Sequence, residues 1–217
     1  MLLQFVYGPM LWIAFITFFL GSLIKLGLFL IQTKKKEYQI FSYMSLRYGL
    51  RSLFVWLMPF ATVNMRKHPV FTTITFLFHI SLILSPIFLV AHVMLVDEAF
   101  NISWYTLPDQ VADMMTAIVV ITGICLLVRR LMPGIANYVS TAVDYVMLVV
   151  VISPFITGFL AYHQILPYKP MILLHILSGE IMLIAIPFTK LNHMILGAFT
   201  RAYIGSEFGG VRHARDW

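Results

Sequence analysis

Cysteine is nearly absent from this chain: Cys125 stands alone among 217 residues, inside an apolar run. One thiol excludes an internal disulfide and any zinc site or iron–sulfur cluster built from the chain's own cysteines. A cluster of that kind must belong to a partner. Charge is also scarce. Only 11% of the residues are Asp, Glu, Lys or Arg, while 60% are hydrophobic, and the mean hydropathy is +0.90. This is the composition of a membrane protein and excludes an ordinary soluble domain. The N-terminus lacks a basic n-region and a small-residue cleavage pattern, so the first apolar run is read as retained. Internal repeats and low-complexity tracts are absent as well. Acidic residues are the fewest, 9 against 15 Lys and Arg. The basic residues sit between apolar runs and not on one amphipathic face, so the positive-inside rule explains them and no nucleic-acid partner is expected.

What is present is a series of apolar runs of bilayer-spanning length. Spans are expected at about 8–29, 70–96, 111–128, 142–162 and 171–193. Gly21-Ser22 allows close helix contact in the first, and Lys25 can snorkel toward Lys34-Lys35-Lys36. The stretch at about 43–63 mixes Arg47 and Arg51 with Leu53, Phe54, Trp56, Leu57 and Phe60. Its uncharged run contains Pro59 and is too short to span, which predicts an amphipathic helix lying in the interface. The loop at 97–109 is acidic and aromatic, with Trp104 and Tyr105 expected at headgroup level. Pro133-Gly134 separates spans three and four, and residues 195–217 read as a polar, basic tail. Lys34, Lys35, Lys36, Arg47, Arg51, Arg66, Lys67, Arg129, Arg130, Lys190, Arg201, Arg212 and Arg215 fall on one side, and Lys169 alone on the other. The N-terminus is therefore expected outside and the C-terminus in the cytoplasm. The expected fold is a single-domain, all-α integral membrane bundle of five transmembrane helices plus an interfacial helix, in a bacterial or archaeal cytoplasmic membrane.

Histidines carry the chemistry. His175 and His193 are eighteen residues apart; on one continuous helix that is five turns, one face and roughly 27 Å. Ionisable groups inside a span mark sites, and imidazole is an axial ligand for haem iron. Span two runs against span five and carries His79 and His92. His79 then shares the inner level with His193, and His92 the outer level with His175, as two bis-histidine haem b sites require. The bland alternative is that the span-five histidines cap the helix at the two interfaces. Thirteen residues separate His79 from His92, about 220° of rotation, so a straight helix would not present both on one face; Pro86 between them is expected to correct the phase by kinking the rod. His163 ends span four at the depth of His175 and either replaces His92 as ligand or handles a proton. Glu180 handles protons, hydrogen-bonds a ligand, or serves as a structural partner for a neighbouring hydroxyl or backbone group. Asp144 is expected to pair with Arg129 or Arg130, His68 to sit at the cytoplasmic interface, and His213 to be solvated.

The segment Pro187-Phe188-Thr189-Lys190-Leu191-Asn192-His193, preceded by His175 at the same eighteen-residue spacing, resembles the gamma-subunit family of respiratory nitrate reductases, five-span di-haem cytochromes b. Gly21-Ser22-Leu23-Ile24-Lys25, Phe78-His79-Ile80, Leu107-Pro108 and Arg129-Arg130-Leu131 followed by Asp144 are similar to further family positions. The resemblance implies His79 and His193 as ligands of the inner haem and His92 and His175 as ligands of the outer one. There are departures: the span-two histidines are three residues further apart than in the nitrate reductase members, the 43–63 segment is additional, and Ala112 stands where those members place a lysine near the quinol site. These features look more like the cytochrome b subunits of sulfate reducers' transmembrane redox complexes. That branch implies a cytoplasmic iron–sulfur subunit and a periplasmic multihaem cytochrome c as partners. The nitrate reductase branch implies quinol oxidation, with menaquinone as the second cofactor. Two rivals from other classes are a histidine-lined transporter, which would show inverted repeats or broken midplane helices, and a haem-free scaffold anchoring a peripheral enzyme.

Overall fold

The structure is a computed structural model that describes residues 2–214; the end of the basic tail, with Arg215 and Trp217, lies outside the described residues. Every regular element among those described is helical. In chain order they are α1 (Leu3–Lys36), α2 (Ile40–Tyr43), α3 (Leu46–Leu57), α4 (Val63–Lys67), α5 (Pro69–Phe88), α6 (Val90–Phe100), α7 (Asp109–Leu131), α8 (Ile135–Tyr138), α9 (Ala142–Tyr162), α10 (Tyr168–Phe188) and α11 (His193–Ile204). Five of these, α1, α5, α7, α9 and α10, are long and apolar enough to cross a membrane. At 20 residues α5 is the shortest, and at 1.5 Å per residue it still matches a hydrocarbon core about 30 Å thick. The longer α1 contains a π-helical stretch at Val6–Met10 around Pro9, the local adjustment by which a span absorbs a missing N–H.

Two expectations are corrected. Span two is not one kinked rod through residue 96: it stops at Phe88, Leu89 is extended (φ −71°, ψ 129°), and α6 starts afresh at Val90. The unbroken helix expected from His175 to His193 ends at Phe188, just after Pro187. Thr189 is extended there (φ −121°, ψ −171°) and a 3-10 turn, Lys190–Asn192, leads into α11. Thr189 makes the break inexpensive, because its hydroxyl donates to the Ala185 carbonyl at 2.7 Å and accepts from the Leu191 amide at 3.2 Å. His175 and His193 thus sit on different helices, and the five-turn argument for a shared face fails. The polar, basic tail, to which the sequence assigned no secondary structure, is helical in α11 and continues as a π-helical stretch, Gly205–Val211.

The described chain forms two compact units, one from the residues before Thr73 together with those from Glu180 onward, the other from Thr73–Gly179. In the first unit α1 meets the end of α10 where Gly21 lies against Pro187; a Cβ on Gly21 would stand 2.9 Å from the proline Cγ. The main contact in this unit joins α3 to α11 through small side chains. Gly49 faces Ala202, Gly205 faces Ser52 and the Tyr48 carbonyl, and Gly210 faces the Tyr48 ring. The Ser45 amide donates to the Ser206 hydroxyl at 3.0 Å, and Ser52 and Ser206 are fully buried. With its small residues turned inward, α3 leaves its large apolar ones, Leu46, Leu50, Phe54 and Leu57, exposed. Beyond α11 a hydrogen bond from Tyr203 holds the Glu207 carboxyl below its usual range, with Arg212 reinforcing it. The same bond, and one with Tyr43, raises the Tyr203 phenol.

In the second unit α7 packs on α9 where Gly123 makes room for Ile152; a Cβ there would come within 2.4 Å of its Cδ1. The α7–α9 turn is organised around Arg130, whose guanidinium donates to Ser140 and whose carbonyl accepts from Asn137 and Tyr145. Asp144 caps α9 by accepting from the Thr141 amide and hydroxyl, each at 2.8 Å.

The α3–α11 contact makes a test. A methyl group on Gly205 would stand 2.5 Å from Ser52 Cβ and 2.7 Å from the Tyr48 backbone oxygen, neither of which can swing away. Gly205→Ala should therefore cost about 1–3 kcal/mol and free the tail for limited proteolysis. Gly27→Ala, with nothing within 4 Å, should leave the digestion pattern unchanged.

Candidate functional site

The interruption in span two builds one side of the site. A helix end leaves backbone carbonyls without intrahelical donors, and any of them shielded from water needs a partner from elsewhere in the chain. Three consecutive carbonyls at the end of α5 are taken up by groups that follow the break. Pro86 O accepts from His92 Nδ1 at 2.8 Å, Ile87 O from the Trp104 indole at 2.9 Å, and Phe88 O from the Leu107 amide at 2.9 Å. The loop after α6 is thereby folded back onto the break, and the His92 ring is clamped. Trp104 does more than the interfacial role expected of it: its N–H closes the α5 terminus.

The other side comes from α9 and α10. His175 Nδ1 lies 2.8 Å from the Pro154 carbonyl on α9. Pro154 cannot donate to the Val150 carbonyl one turn back, and the Ser153 hydroxyl does so at 3.0 Å. The His175 ring rests directly on Gly158, where a Cβ would stand 2.9 Å from both Cε1 and Nδ1. Thr157 and Ser178 hydroxyls, 3.3 Å apart, tie the same two helices one turn away.

His92 and His175 meet in this unit, with ring centroids 6.0 Å apart and planes inclined by 15°. Carbonyl oxygens can only accept, so Nδ1 is the protonated nitrogen of each ring and Nε2 carries the lone pair. That is the tautomer a metal ligand needs, fixed in each case by a backbone partner. A metal midway between two Nε2 atoms requires about 2 Å to each nitrogen and about 1 Å from nitrogen to ring centre, so about 6 Å between centroids. The observed centroid separation is of that length, with the two ring planes near parallel. Among the described residues no group of three or more His, Cys, Asp or Glu could hold a bare ion. Two imidazoles alone suit a metal whose remaining ligands arrive with a macrocycle.

The other candidates fall as follows. His79 on α5 donates from Nδ1 to the Thr75 carbonyl at 2.8 Å, and His193, at the start of α11, to the Lys190 carbonyl at 2.9 Å. Both therefore show the same tautomer as the outer pair. His163 is turned to Asp113, with Nε2 3.0 Å from Oδ1, and to the Phe159 ring at 4.4 Å; it does not join His92 and His175. Glu180 is 1% exposed and neither of its oxygens has a hydrogen-bond partner, so the expected hydroxyl or backbone partner is not there. Sequence reasoning missed Gly158 and Pro154 altogether. The run Ser153-Pro154-Phe155-Ile156-Thr157-Gly158, with a proline and a glycine one turn apart in an apolar span, was the available signal.

Fold and site together define an all-α, multi-pass membrane protein with a half-buried pair of imidazoles in one of its two units. The chain belongs to the same family as a protein of Nitratidesulfovibrio vulgaris whose description is simply "Protein". The two are 35% identical over 208 residues, which covers 94% of this chain and 92% of the relative. No family profile matches the chain, and no solved structure matches it.

Gly158 is the residue on which the His175 position can be tested. Gly158→Ala should push the imidazole off the Pro154 carbonyl and cost about 1–3 kcal/mol by overpacking, read as a lower unfolding temperature in detergent. Gly179→Ala on α10, with open space around it, should unfold like the parent.

Proposed function

We propose that the chain is the di-haem cytochrome b subunit of a membrane oxidoreductase complex, carrying electrons across the bilayer and not acting as a complete enzyme. The observation that carries this reading is the His92–His175 pair, at a centroid separation that admits an iron and with both Nδ1 protons given to backbone carbonyls. His92 and His175 would hold the outer haem. His79 and His193 would hold the inner one, on the support of their sequence levels and of their tautomers. One-electron chemistry is the cofactor's; the chain orients the rings, keeps water away and sets ligand basicity through the carbonyls.

The orientation we propose, N-terminus outside and C-terminus in the cytoplasm, rests on the Lys and Arg distribution. Electrons would pass between a periplasmic-side donor, a quinol or a multihaem cytochrome c, and a cytoplasmic iron–sulfur subunit. A specific observation favours the quinol. His163 and Asp113 form a half-exposed pair one turn from an apolar groove on α7 and α9, lined by Thr116, Ala117, Val120, Ile156, Phe159 and Leu160. An apolar groove of that kind suits an isoprenoid tail, and the His–Asp pair suits a hydroxyl that must lose a proton. Menaquinone is the quinone this reading expects.

Haem counts and reduced-minus-oxidised spectra test the assignment. His175→Ala and His92→Ala should each remove the outer haem and spare the inner. His193→Ala should do the reverse, and His163→Ala should keep both. Two haems surviving in the His175 variant would sink the reading.

The partner side rests on α3. Its exposed stripe of Leu46, Leu50, Phe54 and Leu57 lies beside Arg47 and Arg51 and is carried on the tail by a contact of small residues. We place this stripe in the membrane interface, with α3 and the tail docking the iron–sulfur subunit near the inner haem. Charge governs the encounter of such partners, and the docked state rests on aromatic side chains. Phe54 is 65% exposed and Trp56 43%. Replacing both by alanine should release the partner on size-exclusion chromatography and leave both haem spectra intact; retention of the partner would place the interface elsewhere.

A further inference from the structure

Glu180 is the one buried acid of the spans that the reading above does not use. It lies on α10 five residues inward of His175, about 7.5 Å along the axis, and therefore between the levels of the two proposed haems. Its immediate helical neighbours, Ile176, Leu177, Leu183 and Ile184, are all apolar. Only 1% of the residue is exposed, and both carboxylate oxygens lack a hydrogen-bond partner. Ionisable groups on the helices of its own unit are Tyr7, Lys25 and Lys34–Lys36 on α1, Tyr43 on α2, Arg47, Tyr48 and Arg51 on α3, Arg66 and Lys67 on α4, Lys190 in the 3-10 turn, His193, Arg201 and Tyr203 on α11, and Glu207 beyond it. In the other unit they are His79 on α5, His92, Asp97 and Glu98 on α6, Asp109, Asp113, Cys125, Arg129 and Arg130 on α7, Tyr138 on α8, Asp144, Tyr145 and Tyr162 on α9, and Tyr168, Lys169 and His175 on α10. None of them hydrogen-bonds to Glu180.

Among the described residues no hydrogen bond reaches this carboxylate, and a buried charge without a partner is driven to neutralise. About one and a half turns away on the same helix, His175 would hold a haem whose ferric positive charge could offset it. We propose that Glu180 is a redox-linked proton site, an inference that rests on the di-haem reading. With a haem bound there, the Glu180 carboxylate would take up one solvent proton, forming one O–H bond, as one electron from the outer-side donor cancelled the ferric positive charge. As that electron left toward the inner side, the O–H bond would break and the proton would be released to solvent. Charge is balanced at each step, one proton for one electron. Within its own unit the route inward is marked by Ser22, whose hydroxyl is also buried and unpartnered. Ser22 adjoins the Gly21–Pro187 contact, and Lys25 follows one turn later on α1.

The test uses the full chain with its haems in lipid nanodiscs, comparing the parent with the near-isosteric Glu180→Gln and with Glu180→Asp. Potentiometric titration across neutral pH should show the outer-haem potential falling as pH rises in the parent and not in Glu180→Gln. Infrared difference spectra should show a carboxylic-acid carbonyl band appearing on reduction, shifting in D2O, moved in Glu180→Asp and missing in Glu180→Gln. A pH-dependent potential that persists unchanged in Glu180→Gln, or a parent that gains no such band, overturns the proposal. Should Glu180→Gln fail to fold, the parent and Glu180→Asp infrared bands decide the matter alone. Failure of the di-haem reading looks different, since the purified parent would then lack haem absorbance altogether.

Discussion

A helix can stop away from water only where donors reach the carbonyls that its end frees. The proposed site depends on that constraint. The break at Leu89 exposes three carbonyls, and the groups that close them are a histidine ring, an indole and a backbone amide. Satisfying the backbone and orienting the first imidazole are therefore one event. The same logic operates on α9, where a proline removes one helical hydrogen bond, a serine repairs it, and the proline's own carbonyl anchors the second imidazole. Each ring is thus oriented by main chain, which has fewer conformations to lose than a side-chain partner would.

The first unit solves a different problem. A helix with an apolar stripe normally buries it, whereas α3 buries Gly49 and Ser52 and shows Phe54 and Leu57. Small residues permit backbones to approach closely without removing much apolar area from water, so the contact with α11 confers shape more than hydrophobic stabilisation. The large side chains are left for lipid or for another protein. A rigid pair of helices presenting an apolar stripe flanked by arginines is what a membrane-surface platform requires.

Much of this architecture was legible from composition and spacing. Five apolar runs of sufficient length fall at the five spanning helices, because in lipid only a continuous apolar helix satisfies its own backbone. Depth alone left both His92 and His163 as candidates to face His175, and the structure sets His92 there. The phase argument for span five was not sound. Pro187 and Thr189 end the helix before His193, and a count of residues along an assumed rod cannot register such a break. The mismatch of His79 and His92 on a straight helix pointed to a kink at Pro86 within one span, whereas Pro86 stays inside the helix and the chain breaks at Leu89, after three carbonyls that outside donors satisfy.

The sequence by itself determined the solvent, the number of spans and the chemical inventory: imidazoles at two depths, one buried acid, one cysteine. Those follow from local composition, since each residue's cost in lipid is set by its own side chain and by the backbone it sits on. Tertiary structure alone decided which imidazole faces His175, which nitrogen of each ring keeps its lone pair, and why Gly158 must lack a side chain. Each of these depends on where a carbonyl from a distant turn arrives, to within a few tenths of an ångström, and no spacing rule along one chain segment carries that information.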